Sequence, residues 1–347
     1  MKFLSGLFFN MLMAILFATV LGINPLLAFG GLSAGAALMP KLPGVAAMAV
    51  QKEIWMTSIV ENLFADNMFM SKAFNADEFV NNKTVHIPNA GSPSAVVKNR
   101  SSFPASVTAR TDTDLTFDLD EYTTNPIKIP HADTVELSYN KRESVLKNDK
   151  AQLIESVADE FTYKWSPTGD AIIRTSGAAV AAHTPSATGD RKALDKADFK
   201  KAMTKFNQQN IPQEGRWALV DADMLDQLLD SLTDKQLDNF NQAADIANGK
   251  VGKLYTFNVM MRSKAARYTT GLTAKAWTTS GAAGDNAAAL LWYEGSVCRA
   301  LGQTEMFDDE GSPTYYADIY SFLVRAGGRP MRSGVEGLVA IVQDTTV

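Results

Sequence analysis

Between Asp112 and Asp120 the chain alternates without a break. Asp112, Asp114, Thr116, Asp118 and Asp120 occupy the even positions, and Thr113, Leu115, Phe117 and Leu119 the odd ones. Side chains on a strand point to opposite faces with a period of two. The stretch therefore predicts a strand with one carboxylate-rich face and one apolar face. Four carboxylates on one face have the chemistry of a Ca²⁺ site. Same-face neighbours on a strand are ~7 Å apart, however, which splays them away from a single ion. The preferred reading is an edge that faces solvent or a basic partner and whose charge blocks promiscuous strand pairing. Arg100 and Arg110 of a neighbouring copy are the candidate counter-charges. The candidate subunit-contact residues are thus Arg100, Arg110, Asp112, Asp114, Asp118 and Asp120.

This strand sits in a longer β-rich region, 83–130. There KTVHIP, SAVVKN and SVTARTDTDLTFDLDEY are separated by Pro88, Asn89-Ala90-Gly91, Pro93, Pro104 and Pro126. A helix follows over 142–165, with Leu146, Leu153, Ile154, Val157, Ala158, Phe161 and Trp165 on one stripe. At 1.5 Å per residue it would be a strut of roughly 35 Å, stopped by Pro167. Upstream, 52–80 reads as mainly helical from Ile54, Trp55, Ile59, Leu63, Phe64 and Met68, with a turn at Asn81-Asn82.

Residues 169–192 are rich in Gly, Ala, Thr and Ser and read as a linker dividing two halves. Residues 193–347 read as α+β. Asp195 caps a helix carrying Phe199, Ala202, Met203 and Phe206. Arg216–Val220 is a strand, and Asp221 caps a helix with Met224, Leu225, Leu228, Leu229 and Leu232 inward. Thr233 caps another with Leu237 and Phe240, ended by Gly249. Leu254–Met261 is a strand, and 287–301 reads as strand then helix. Tyr315–Val324 and Gly337–Gln343 are closing strands, with Gly327-Gly328-Arg329-Pro330 a tight loop between them.

The N-terminal segment differs from the rest. From Phe3 to Pro40 there is no ionisable side chain, and Lys2 and Lys41 are the only charged side chains before Lys52. Such a length could span a bilayer, or serve with Lys2 as an export signal. This supports one alternative, a membrane-anchored or exported binding protein that uses residues 1–40. Asn10 and Asn24-Pro25 break the run, and Gly30–Ala37 offers little bulk to lipid. The other reading is an apolar arm that packs on its own fold or on neighbouring copies. Gly31-Leu32-Ser33-Ala34-Gly35 matches a nucleophile-elbow pattern, but it lies in that apolar run and not between a strand and a helix.

Little else carries chemistry. His86, His131 and His183 have no ligand-type neighbour at short spacing and read as surface or packing histidines. Cys298 is alone, so neither an intrachain disulfide nor a cysteine-built metal site is possible. No phosphate-binding loop, dinucleotide fingerprint or zinc-protease motif is present. Asn82-Lys83-Thr84 and Asn99-Arg100-Ser101 fit the glycosylation pattern, a short motif that arises by chance. The net charge of −5 argues against a protein that grips nucleic acid with a basic face. With 46% hydrophobic and 20% charged residues in 347, the chain can bury a real core.

The order of pieces resembles the major capsid proteins of tailed bacteriophages with the Hong Kong 97-type fold. The wording is similar to capsid proteins from phages and prophages of Bacteroidetes. The resemblance rests on Lys52-Glu53-Ile54-Trp55, Val85-His86-Ile87-Pro88-Asn89-Ala90-Gly91 and Lys98-Asn99-Arg100-Ser101-Ser102. It continues through Pro104-Ala105, Arg110, Asp112, Asp114, Glu121, Tyr122 and Pro126. Farther on it is carried by Arg216-Trp217-Ala218-Leu219-Val220-Asp221, Trp292 and Tyr315-Tyr316, and it spans about 51–347.

The resemblance implies an α+β fold made of an apolar N-terminal arm (1–50), a helical arm (51–82), an extended β loop (83–130) and a spine-helix region (131–168). The linker (169–192) and a peripheral and axial region (193–347) complete it. It implies no reaction and no cofactor, but a structural protein that assembles with itself into hexamers and pentamers of an icosahedral shell. Scaffold, portal and head-decoration proteins are the further partners, and DNA is enclosed without sequence-specific binding. The implied location is the virion capsid, reached by assembly in the host cytoplasm. The apolar first 50 residues depart from the charged, cleaved scaffolding segment of many family members.

Overall fold

The predicted strut is a single helix, α1 (Lys141–Trp165), in a computed structural model of the chain. The structure describes residues 67–130 and 141–345, apart from 82, 90–93, 102, 105, 106, 108 and 333. The apolar arm, Ser33 with its flanking glycines, His131 and the expected helix before Asn67 lie outside the described residues. All described residues fall in one compact unit, Met56–Val347.

Helix α1 buries Leu153, Ile154, Val157, Ala158, Phe161 and Trp165, the expected stripe from Leu153 onward, while the side chain of Leu146 lies outside those described. Its 25 residues span ~37 Å. Trp165 anchors its end, with ring centroids 5.8 Å from Phe69, 5.6 Å from Phe161 and 5.9 Å from Trp292. Its indole N–H donates to the Cys298 carbonyl at 3.0 Å.

Among the described residues, six short strands precede α1: β1 (Phe74–Asn75), β2 (Val80–Asn81), β3 (Thr84–Asn89), β4 (Thr113–Asp118), β5 (Asp120–Thr123) and β6 (Ile127–Pro130). After it come β7 (Ile172–Arg174), β8 (Ala179–Ala181), β9 (Asp190–Lys192), α2 (Lys196–Gln208), β10 (Arg216–Val220), α3 (Ala222–Asp230) and α4 (Asp234–Gln242). Then follow β11 (Lys250–Leu254), β12 (Phe257–Met261), β13 (Ala266–Tyr268), β14 (Asn286–Tyr293), β15 (Val297–Ser312), β16 (Ala317–Pro330) and β17 (Leu338–Val342).

Two larger sheets organise most of these elements, beside the smaller β2-β3-β4 and β8-β9 sheets. One runs β11-β12-β10-β14-β17-β7, with β13 on β14. Helices α2, α3 and α4 cover it through Phe199, Phe206, Met224, Leu228 and Phe240. The caps follow the sequence: Asp195 accepts from the Ala197 N–H, Asp221 from the Met224 N–H, and Thr233 with Gln236 forms a capping box. The other sheet is built on the long β15–β16 hairpin, with β1 parallel to β15 and both β5 and β6 on β16. No helix among the described residues is long and apolar enough to cross a membrane.

Several expectations are corrected. Residues 68–81 are two 3₁₀ turns, Met68–Lys72 and Asp77–Phe79, and two short strands, not a continuous helix. Side chains compete with the helix there: Asn75 Oδ1 accepts the Asp77 N–H, and Asp77 Oδ1 accepts the Leu301 N–H. The 169–192 segment is no linker. Strand β7 extends the large sheet in parallel with β17, and β8–β9 form a hairpin. Arg191 fixes that hairpin, buried with its Nε 2.6 Å from Asn286 Oδ1.

Helix α4 ends at Gln242; Gly249, at φ 69°, closes a short 3₁₀ turn instead. The expected 254–261 strand is a hairpin, β11–β12, turned at Tyr255. Residues Val297–Leu301 are strand and not helix, because Gly327–Pro330 pairs with Val297–Ala300. The expected glycine loop at 327–330 is accordingly the end of β16. Those glycines serve close approach: a Cβ on Gly327 would lie 3.0 Å from Leu119 Cδ2.

Candidate subunit-contact surface

The ribbon β3–β4 has antiparallel register from Thr84↔Asp118 to Asn89↔Thr113. Its root is fixed from below. Val85, Ile87 and Leu119 are buried with Ala76, Cys298 and Ala300, and Leu115 and Phe117 pack against that cluster. Leu119 sits on two glycines, since a Cβ on Gly302 would come within 2.6 Å of its Cδ1. The opposite face carries the expected carboxylates. Asp112, Asp114, Asp118 and Asp120 are all exposed, as the alternation predicts.

Each carboxylate meets a different partner within its own chain. Asp112 takes a two-pronged contact from Arg110, at 2.6 and 2.9 Å. Asp114 Oδ2 lies 2.8 Å from His86 Nδ1, and Asp118 accepts from Thr84 Oγ1 at 2.7 Å. Asp120 lies 3.2 Å from Lys164 on helix α1. The four therefore line an edge without converging on one point. Arg110 is engaged with Asp112 of the same chain, and Arg100 is exposed just past a turn at Asn99.

Beyond the root the region between β3 and β4 carries apolar side chains into solvent. Val96 is 98% exposed, Phe103 78% and Val107 96%. Burying such groups is worth ~25 cal/mol per Å². A rooted β2-β3-β4 ribbon that presents bare apolar side chains has the form of a contact surface for another molecule.

A second cluster was invisible to spacing. His183, in the β8–β9 turn, places Nε2 3.0 Å from Asp221 Oδ2, across 38 positions of sequence. Asp223 is close by, with ligand-type atoms of the three groups within 4.8 Å of one another. Both Asp221 oxygens are engaged, one by His183 and one by the Met224 N–H of helix α3. The arrangement works as an ion pair that ties the hairpin to the start of α3. Burial opposes charge on His183, but the Asp221 bond and the Asp221 and Asp223 charges outweigh it and raise its pKa above the ordinary value.

No protein-family model matches the sequence, and no curated protein matches it either. Solved structures do. The capsid of Ralstonia phage GP4 matches with TM-score 0.55 at 11% identity, covering 80% of this chain and 88% of that one. The head structure of Helicobacter pylori bacteriophage KHP40 matches at TM-score 0.53 and 10% identity, covering 78% and 89%. The capsid of the cyanophage P-SCSP1u matches at 0.52 and 13%, covering 78% and 86%. The fold is therefore the expected α+β fold of the Hong Kong 97 type.

Proposed function

We propose that this chain is the major capsid protein of a tailed bacteriophage, a structural protein whose copies close into an icosahedral shell around double-stranded DNA. The observation that carries the reading is the shared fold over about four-fifths of the chain with phage capsid and head structures. The rooted ribbon supports it, with an apolar tip suited to a neighbouring copy, as does the long buried strut α1. In this reading Arg100, Arg110, Asp112, Asp114, Asp118 and Asp120 line the contact with the next subunit. Copies would form pentamers and hexamers through two different patches per copy, the geometry that closes rings.

Scaffold, portal and decoration proteins are the partners such a shell would meet, and the virion its location after assembly in the host cytoplasm. The distributed wording from Val85 to Tyr122 supports a phage or prophage of Bacteroidetes as the source. The charge-free arm from Phe3 to Pro40 would be buried between subunits, contributing assembly energy at ~25 cal/mol per Å².

The test is sedimentation and negative-stain microscopy of the full chain expressed in bacterial cytoplasm. Shells, tubes or isolated five- and six-membered rings are expected. A stable monomer under all assembly conditions, or recovery only with membranes, overturns the reading. Deleting residues 2–48 tests the arm, with loss of assembly the expected outcome.

A further inference from the structure

Helix α1 and strand β5 meet along a short seam. Glu160, Phe161 and Lys164 of the helix and Tyr122 of the strand line one shared cleft. Strand β16 closes it with Ala326, Gly327 and Gly328 and so brings no charged side chain.

One cation serves two carboxylates at this seam. Lys164 Nζ lies 3.2 Å from Asp120 Oδ2 on β5 and 3.8 Å from Glu160 Oε1, one turn back on its own helix. The shorter contact ties the strand to the helix; the longer one ties the helix only to itself. Among the described residues, Lys164–Asp120 is the one ion pair that joins α1 to β5.

Glu160 is the least comfortable of the three charges. Its side chain is 23% exposed, against 39% for Lys164 and 49% for Asp120. Burial opposes its charge, Lys164 favours it, and Asp120 and Asp159 oppose it again. The balance holds its carboxyl above the ordinary value of 4.5. Asp159 has its own cation in Arg262, 2.6 Å away. Tyr122 stays a neutral phenol, because burial and then the charges of Glu160 and Asp120 push its pKa up. Glu160 therefore takes up a proton earlier on acidification than an ordinary glutamate.

We propose that this seam is a proton-operated clamp between the strut and the ribbon: while Glu160 is charged Lys164 is shared, and once Glu160 is neutral Lys164 closes on Asp120 alone and fastens β5 to α1. A carboxyl held up in the folded state favours folding fully below its ordinary value, and that contribution is lost as pH rises through its folded value. The clamp is thus tight in mild acid and slack at neutral pH. Only Leu119 separates β5 from the ribbon strand β4, so what fastens β5 fastens the root of the ribbon. The clamp belongs to the single subunit and does not depend on the shell reading.

The test measures the coupling of Asp120 to Lys164 in the unassembled full chain. Wild type, Asp120→Asn, Lys164→Met and the double variant are unfolded in urea at pH 7 and at pH 5. The cycle cancels other groups that titrate over the same range. Coupling, read as a ratio of unfolding constants, should be about threefold larger at pH 5. The same cycle built on Glu160→Gln, which is neutral at both values, should give equal coupling at pH 7 and pH 5, matching wild type at pH 5. A second readout needs no substitution. Amide hydrogen exchange in β5, taken relative to β17 of the same sample, should slow as wild type is acidified.

Wild-type coupling that is unchanged or smaller at pH 5 overturns the proposal. So does an equal rise in the Glu160→Gln background, which would put the proton on another group. If Glu160→Gln does not fold, β5 exchange in wild type decides: relative protection that fails to rise in acid overturns the clamp.

Discussion

The ring of Phe161 on helix α1 packs against Gly328 of β16 so closely that a Cβ there would lie 2.7 Å from Cε1 of the ring. The same Cβ would lie 2.5 Å from the Cys298 carbonyl oxygen. Neither the helix nor the β15 backbone can yield cheaply. Gly328→Ala should therefore cost about 1–3 kcal/mol, as overpacking does. Urea unfolding of the unassembled protein checks it; an unchanged midpoint would mean that α1 does not hold this position.

Arg267 and Asp285 are both buried, 3.6 Å apart, and Lys275 lies 2.7 Å from the same Asp285 oxygen. Asp285→Asn leaves Arg267 without its counter-charge in the interior, which should cost about 3–5 kcal/mol. Burial raises the Asp285 pKa, but bonds from Lys275 and the Ala282 N–H, and the charges of Lys275 and Arg267, outweigh it and hold the carboxyl below its ordinary value of 3.8. A depressed carboxyl stabilises the fold above that ordinary value and loses the contribution as pH falls through the folded value. Acid unfolding below pH 3.8 should be shallower in the variant than in wild type.

For His183 the sign is opposite. Its folded pKa is raised, so the ion pair with Asp221 contributes fully below the ordinary value of 6.5 and is lost as pH rises through the folded value. Stability measured from pH 6 upward should fall more in wild type than in His183→Gln. Parallel profiles would show that the pair contributes nothing in that window.

Phe103→Ser together with Val107→Ser changes residues that are 78% and 96% exposed. The folded subunit should keep its stability within about 0.5 kcal/mol. Assembly should fall sharply if the ribbon tip is seated on a neighbour. Shells formed as readily as by wild type would remove the tip from the contact.

Asp112→Ala removes an exposed pair with Arg110, a kind of interaction worth about 0–1 kcal/mol. Subunit stability should barely move, and any large loss should appear in the assembled fraction measured by sedimentation.

What was legible in the sequence was local. The carboxylate face at 112–120, helix α1 and the caps at Asp195, Asp221 and Thr233 each follow from periodicity or from one side chain meeting nearby N–H groups. What was not legible depends on partners far along the chain. Val297–Leu301 has the apolar content of a buried helix, and only its pairing with Gly327–Pro330 makes it a strand. Gly327 and Gly328 read as a turn because composition does not distinguish a turn glycine from one pressed under Leu119 or Phe161. His183 looked inert because its carboxylate is 38 positions away.

Strand β5 leaves the ribbon after one buried residue, Leu119, and runs antiparallel to β16 over four residue pairs, Asp120↔Ala326 to Thr123↔Leu323. A pull on the ribbon is thus delivered along the ladder, and its backbone hydrogen bonds must give way together instead of opening one after another. In the shell proposed above, outward pressure from enclosed DNA would place that tension on a shear joint, with Leu119 as the pin.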